Sequence, residues 1–173
     1  MARPTTKRRL RDIDPDIFSR DVAERYMNHL VTLLGEHVRN SLIEPVDVLK
    51  TEAALLATYA KNGDGVSLVR AKTSYVAVRM MHDSTKHNAD PTGFGATGPA
   101  GRDTDTVLLA ADARLHLDCD QAVPVRELAC LAGVDPDHVR LLGRQGEIAI
   151  IDGVIAPQDA KRWLAARGVK LPS

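Results

Sequence analysis

Residues 125–152 constrain the fold more than any other stretch, because they hold two short helical segments separated by residues that interrupt a helix. The first segment places Leu128 on an inward face. Gly133 follows at the position where a helix often ends with a left-handed backbone conformation. Glycine adopts that conformation at little energetic cost. The second segment begins at Asp135 and Pro136, since Asp caps helices and Pro is tolerated at the first helical position. The pattern predicts two short helices joined by a tight turn.

The spacing of small and aliphatic residues indicates how these helices pack. Two helices that cross steeply need a small residue where their backbones approach, a glycine at the turn, and aliphatic residues that hold the second helix. The sequence supplies these residues in the order A-x3-G-x5-V-x2-L, at Ala129, Gly133, Val139 and Leu142. This is the steric signature of a helix-turn-helix, whose second helix we expect to end at Gly146.

The residues that follow predict a β-hairpin and one more helix. Residues 147–151 are rich in isoleucine and predict a strand, the Asp-Gly at 152–153 is a strong two-residue turn, and residues 154–155 form a short return strand. A final helix is expected over residues 157–167, with Trp163 as its core anchor. The predicted order is therefore helix, turn, helix, wing and helix.

Residues 123–169 resemble the small winged helix-turn-helix domain of MerR-type regulators and phage excisionases. In that family the wing is followed by a helix that starts near a proline and carries a Trp or Leu anchor. The resemblance covers about a quarter of the chain, with no counterpart in residues 1–120. The matching segments are VRELACLAGV, PDHVRLLGRQGEI, IIDGVI and PQDAKRWLAARG.

The resemblance implies a site on the second helix. Residues 136–145 would enter the major groove of double-stranded DNA, where an arginine that pairs with guanine contributes roughly 1–3 kcal/mol of discrimination. Arg126, near the start of the first helix, would contact phosphate. The chain departs from the family at residues 135–137, where such regulators often carry Ser or Thr and this chain carries two carboxylates. The expected readers are Asp137, His138, Arg140, Leu141, Arg144 and Gln145, although Arg140 and Arg144 also fit an ordinary solvated face.

Helical periodicity also fills residues 14–82, where it predicts about three helices. The first should run from residue 15 to about residue 42, the second from residue 45 to the Asn-Gly at 62–63, and the third over residues 66–81. No alternating strand pattern interrupts them. We therefore expect a mainly α protein whose N-terminal part is a helical, dimerising unit.

The composition changes in residues 83–106, which are dominated by Gly, Pro, Thr and Asp. Such a composition is typical of a flexible linker or a long loop, and it favours two modules over one. Helical spacing resumes in residues 107–117, which predicts a short helix. The C-terminal module is then expected to span residues 107–173.

The charge is distributed unevenly, although the chain has 23 basic and 23 acidic side chains. Residues 1–11 hold five basic and no acidic residues, so a neutral total hides a basic arm on an acidic body. We expect residues 1–13 to be a flexible arm whose Lys7, Arg8 and Arg9 contact DNA phosphates. A plain solvated tail is the alternative.

Catalysis and metal binding are not indicated. Two pairs of residues have the sequence spacing of metal ligands: His116 with Cys119, and His82 with His87. No second pair of ligands completes either site. No nucleophile and base pair can be read, so we expect neither an enzyme nor a cofactor. Cys119 and Cys130 are expected to be reduced thiols of a cytoplasmic protein, since no signal peptide or membrane-spanning run is present.

These features favour a dimeric DNA-binding protein. One small winged module contacts about half of a DNA site, so useful affinity usually needs two copies. The long first helix also has more apolar positions than its unit obviously buries, which predicts a homodimer through the N-terminal helices unless the third helix covers them. The predicted function is a sequence-specific transcriptional regulator of a bacterial or mobile-element operon. A protein–protein adaptor without DNA affinity and a phage DNA-packaging or recombination accessory protein are the alternatives.

Overall fold

A computed structural model of the protein describes residues 9–63, 65–85 and 99–171. Within these ranges the chain is mainly helical and has one two-stranded antiparallel sheet, which confirms the expected fold class at this level. The α-helices are α1 (Pro15–Leu34), α2 (Ile43–Asn62), α3 (Leu68–Thr85), α4 (Pro99–Asp118), α5 (Val125–Ala132), α6 (Pro136–Arg144) and α7 (Pro157–Ala165). Two 3₁₀ segments cover Leu10–Asp12 and Glu36–Leu42, and the strands are β1 (Val123–Pro124) and β2 (Val154–Ile155).

Helix α1 begins where the sequence predicts and ends earlier. The Asp14 carboxylate accepts hydrogen bonds from the backbone N–H groups of Asp16 (2.9 Å) and Ile17 (3.1 Å), which caps the helix. The prediction that α1 continues to about residue 42 is wrong. Gly35 has φ of 94°, a conformation that ends the helix and favours glycine, and a 3₁₀ segment follows it.

Helices α2 and α3 form an antiparallel pair joined by a buried polar contact. The side chain of Glu52 in α2 is buried and accepts hydrogen bonds from the Ser74 hydroxyl (2.6 Å) and from the Arg70 guanidinium. Helix α3 starts two residues later than predicted and extends past Met81 to Thr85. Both carboxylate oxygens of Glu52 are therefore satisfied inside the helix pair.

Helix α4 is twice as long as the sequence predicts. Residues 83–85 end α3 and residues 99–106 begin α4, so both were wrongly assigned to the linker, whereas residues 86–98 lie outside the described residues. Thr104 is buried and accepts a hydrogen bond from the Arg25 guanidinium (2.7 Å). Tertiary burial of this kind overrides the low helix propensity of the Gly, Thr and Asp residues in this segment.

Helix α4 lies at the centre of the molecule. It packs against α1, α2 and α3 and also against α5, α7 and β1, and its buried Val107, Ala110 and Leu117 belong to one continuous apolar core. The N-terminal helices and the C-terminal elements therefore share one helix between them.

Arg114, near the C-terminal end of α4, connects three segments. Its guanidinium is buried and donates to the backbone carbonyls of Ala60 (2.7 Å), Lys61 (3.0 Å) and Lys170 (2.8 Å). The first two carbonyls are at the C-terminal end of α2, where helix carbonyls lack partners within the helix. Gly63 has φ of 74°, and a Cβ at that position would overlap the Arg114 guanidinium.

The small sheet is assembled differently from the predicted hairpin. Strand β2 pairs with β1, which places Val123 opposite Ile155, and the five-residue strand predicted at 147–151 is absent. Only Ile151 pairs with Val154, across the predicted two-residue turn. The return segment has two residues before the helix at residue 157, so it cannot pair with a longer strand.

Candidate nucleic-acid interface

The turn between α5 and α6 has the geometry that the sequence predicts. Gly133 is left-handed, with φ of 67°, and the N–H of Val134 donates to the carbonyl of Ala129 (3.0 Å), which closes the end of α5. The Asp135 carboxylate accepts from the N–H of Asp137 (2.8 Å) and caps α6. The path between the two helices is therefore fixed by local hydrogen bonds.

Four buried side chains hold the two helices against each other and against the core. Ala129 and Leu128 are fully buried on α5, and Val139 and Leu142 are buried on α6. Because the buried residues of α6 are three positions apart, they fix one face of this helix inward. The opposite face of α6 is left outside the core.

Ile150 also holds α6, a contact that the sequence analysis missed. A Cβ added to Gly143 would lie 2.5 Å from the Ile150 side chain, so the isoleucine packs directly on the α6 backbone. The pair is seven residues apart, and only the chain reversal after α6 brings the two residues together. A glycine within a short amphipathic helix was the available signal, since glycine there often marks close packing.

The hairpin turn lies beyond this contact. Asp152 (φ 51°) and Gly153 (φ 79°) are both left-handed, as a two-residue turn of this kind requires, and the N–H of Val154 donates to the carbonyl of Ile151 (3.0 Å). The Val125 N–H donates to the Gly153 carbonyl (3.1 Å). The turn is thereby attached to the start of α5.

Helix α7 closes the module with the predicted tryptophan. Trp163 is 8% exposed, and Ala160 and Leu164 are fully buried beside it, which confirms that Trp163 belongs to the core. The Arg167 guanidinium lies 3.8 Å above the Trp163 ring, within the range of a cation–π contact.

The predicted readers on α6 lie together on its exposed side. Leu141 is 43% exposed, and it is the one large apolar residue of this set. Arg126 on α5 is exposed as well, and Arg9 is exposed just before the first 3₁₀ segment. Lys7 and Arg8 lie outside the described residues. The other exposed members are Asp137, His138, Arg140, Arg144 and Gln145.

Asp137 and Arg140 form an ion pair across one helical turn. The Arg140 Nη1 and Asp137 Oδ1 atoms are 2.5 Å apart, on side chains that are both largely exposed. Such a pair contributes little to stability in water, but it orients the arginine and offsets the carboxylate charge. Arg144 makes no hydrogen bond or ion pair with any residue in the described ranges, so its guanidinium is available to a partner.

The charges around α6 have both signs. Beyond the Asp137–Arg140 pair, the exposed side chains of α5, α6 and the wing turn include the basic Arg126 and Arg144 and the acidic Glu147 and Asp152. Arginines on this surface are therefore not part of a broad basic patch. Any attraction to phosphate depends on where individual arginines point rather than on net charge.

A polar contact fixes α5 to α4. The Nδ1 atom of His116 lies 2.9 Å from a Glu127 carboxylate oxygen, and the side chain of Glu127 is mostly buried. Burial raises the pKa of Glu127, and the nearby Asp112 raises it further, while His116 and Arg126 lower it. His116, which has a metal-like spacing to Cys119, is thus placed against a carboxylate of the neighbouring helix.

The described residues contain no group of three His, Cys, Asp or Glu side chains placed to hold a metal ion. In the same ranges no helix is both long and apolar enough to cross a membrane. No protein-family model matches the chain, and no curated protein or solved structure is significantly similar to it. The geometry of the residues is therefore the basis for assigning a function.

Proposed function

We propose that residues 123–169 form a winged helix-turn-helix that binds double-stranded DNA in a sequence-specific manner, in the role of a transcriptional regulator. The observation that carries this proposal is the exposed face of α6. The capped turn and the inward Val139 and Leu142 hold that face outside the core, and the predicted readers lie along it. An α-helix supported in this way fits the major groove of B-DNA.

Arg144 is the residue best placed to read a base. It has no partner among the described residues, and it lies one turn beyond Arg140 on the same face. A guanidinium with free donors can form two parallel hydrogen bonds to guanine. Arg140 would contact the neighbouring base or phosphate while Asp137 orients it, which gives the acidic residue at the start of α6 a role other than repulsion.

Contacts to the DNA backbone would come from outside α6. Arg126 is exposed on the first turn of α5, close to the chain that carries the wing turn. The basic residues of the N-terminal arm, Lys7, Arg8 and Arg9, would add phosphate contacts. Such contacts make binding weaker as the salt concentration rises, whatever the base sequence.

A DNA-binding experiment tests the proposal directly. Selection from a random DNA pool should yield a preferred sequence, and Arg144→Ala should weaken binding to it by roughly 10- to 100-fold, because one arginine–base contact contributes about 1–3 kcal/mol. Fluorescence anisotropy measures the loss, and Lys72→Ala, an exposed charge on α3, is the control that should bind as the unmodified protein does. Unchanged binding by both Arg140→Ala and Arg144→Ala would rule out α6 as the reading helix.

The mixed charge around α6 favours a second candidate, a protein–protein adaptor that uses the same exposed face. Glu147 and Asp152 offset the free arginines, and Leu141 supplies an apolar point of contact. This candidate predicts no binding to any DNA in a random pool, even at low salt. The same selection experiment therefore separates the two functions.

A further inference from the structure

The outer face of α1 carries a regular stripe that the molecule leaves partly uncovered. Its members recur at alternating intervals of three and four residues, the spacing that helices use to pair side by side. Ile17 is 46% exposed and Leu34 is 52% exposed, although both are large and apolar. The stripe consists of Ile17, Arg20, Glu24, Met27, Val31 and Leu34.

Next to this stripe, α1 and α2 enclose a groove of about 520 Å³. The buried Ala23 and Val46 line it together with the half-buried Met27. Charged side chains stand along it from both helices, and they include Arg20, Glu24, Asp47 and Lys50. An apolar base with polar edges of both signs is the pattern of a protein interface rather than of a site for a polyanion.

The surface is large for a chain of this size. Residues 26–45, from the second half of α1 to the start of α2, contain no buried side chain. They nevertheless include Leu30, Leu33, Leu34 and Ile43. A stable interface uses roughly 20–30 residues from each side, which these residues and the groove can supply. Extended apolar surface of this kind marks an interaction site.

The composition of the remaining residues argues against cover from within the chain. Residues 1–8, 64, 86–98 and 172–173 contain only two large apolar side chains, Met1 and Phe94. They cannot match the apolar residues of the stripe. A second copy of the chain can, because it presents the same stripe and the same balance of charges.

We propose that α1 of a second copy lies antiparallel along this groove, with Arg20 of each copy opposite Glu24 of the other. Because Ile17 precedes Arg20 by three residues and Met27 follows Glu24 by three, the same alignment brings Ile17 opposite Met27. Val31 and Leu34 of each copy then extend past the start of the partner's α1. Arg20 has only a 4.0 Å contact with Asp21, and Glu24 has no ion pair within the described ranges. Both charges are therefore free to pair across a two-fold axis.

Charge reversal tests this arrangement without any DNA. The unmodified protein should sediment as a dimer at micromolar concentration. Arg20→Glu and Glu24→Arg should each raise the dimer dissociation constant at least about tenfold, because each homodimer then holds two like-charged contacts. An equimolar mixture of the two variants should form a heterodimer, since both contacts in it join opposite charges.

The mixture also separates a lost interface from a lost fold, because mixing cannot repair a misfolded chain. Lys72→Glu reverses an exposed charge on α3 and should leave the dimer unchanged. A monomeric unmodified protein, unaffected dimers in both variants, or no recovery on mixing would each overturn the proposal. Since these measurements involve no DNA, their outcome is independent of whether α6 reads a base sequence.

Discussion

The region from α1 to α4 and the region from β1 to α7 are stabilised by different kinds of side chain. The first buries polar and charged residues: Arg25, Glu52, His82 and Arg114 are all nearly inaccessible. Among the described residues from 115 onward, every buried side chain is apolar or aromatic. The buried Glu52 and Arg114 of the first region make hydrogen bonds within the protein, whereas the arginines of the second region lie at the surface, where a partner can reach them. Charged side chains thus stabilise the interior of the first region, whereas in the second region the arginines remain accessible at the surface.

Replacement of Arg114 should lower the free energy of unfolding more than the other substitutions do. A small loss would contradict the difference between the two regions. Arg114→Met keeps the length of the side chain but removes the donor from one buried and two partly buried carbonyls, so we expect a loss of about 3 kcal/mol in the free energy of unfolding. Arg126→Met, on the exposed side of the second region, should change it by less than about 0.5 kcal/mol. Urea denaturation measures both values, and equal losses would show that the two regions do not differ in this way.

Two glycines after α2 test the role of Arg114 separately, because only Gly63 lies against its guanidinium. Gly63→Ala and Gly65→Ala both force an L-residue into left-handed backbone, with φ of 74° and 76°, which costs about 1 kcal/mol at each position. A Cβ at Gly65 meets nothing within 4 Å, while a Cβ at Gly63 overlaps the Arg114 guanidinium. We expect Gly63→Ala to lower the melting temperature clearly more than Gly65→Ala. Equal shifts would mean that Arg114 moves aside without loss.

The smallest expected effect concerns the contact at which the two regions meet. Burial raises the pKa of Glu127, so the folded protein binds a proton there more readily than the unfolded chain does. The stability contributed by this group is therefore present at low pH and is lost as the pH rises from the ordinary value of 4.5 through the raised pKa.

Glu127→Gln removes this titration. The free energy of unfolding of the unmodified protein, relative to the variant, should fall as the pH rises over that range. Unfolding measured at a series of pH values gives this difference, and Glu147→Gln, an exposed carboxylate after α6, is the matched control. A difference that rises with pH would contradict the raised pKa.

The C-terminal helices follow closely from the sequence because their starts and stops are local, whereas the predicted strand at 147–151 is absent. Gly133, Asp135 and Pro157 fix the ends of α5, α6 and α7 within a few residues of chain, and the predicted helices agree with the structure. The exposure of the readers on α6 follows in the same way, since Val139 and Leu142 decide which face is inward. For short helices, the residues at each end are therefore sufficient to predict where the helix begins and ends.

The rest depends on contacts between distant residues. The start of α4 has the composition of a loop and becomes helical where Thr104 is buried against Arg25, 79 residues earlier in the chain. A glycine within a short helix signals close packing at Gly143, but it does not identify Ile150 as the partner, because that contact depends on the chain reversal after α6. These features belong to the tertiary structure, and periodicity in the sequence does not carry them.

The contacts of Arg114 have a consequence for the rate of folding. Helical proteins usually fold fast because most of their contacts are local. Arg114, however, joins carbonyls 53 and 54 residues before it and 56 residues after it, so two long loops must close before its hydrogen bonds form. We expect these bonds to form after the folding transition state. Loss of Arg114 would then accelerate unfolding and leave the rate of folding almost unchanged.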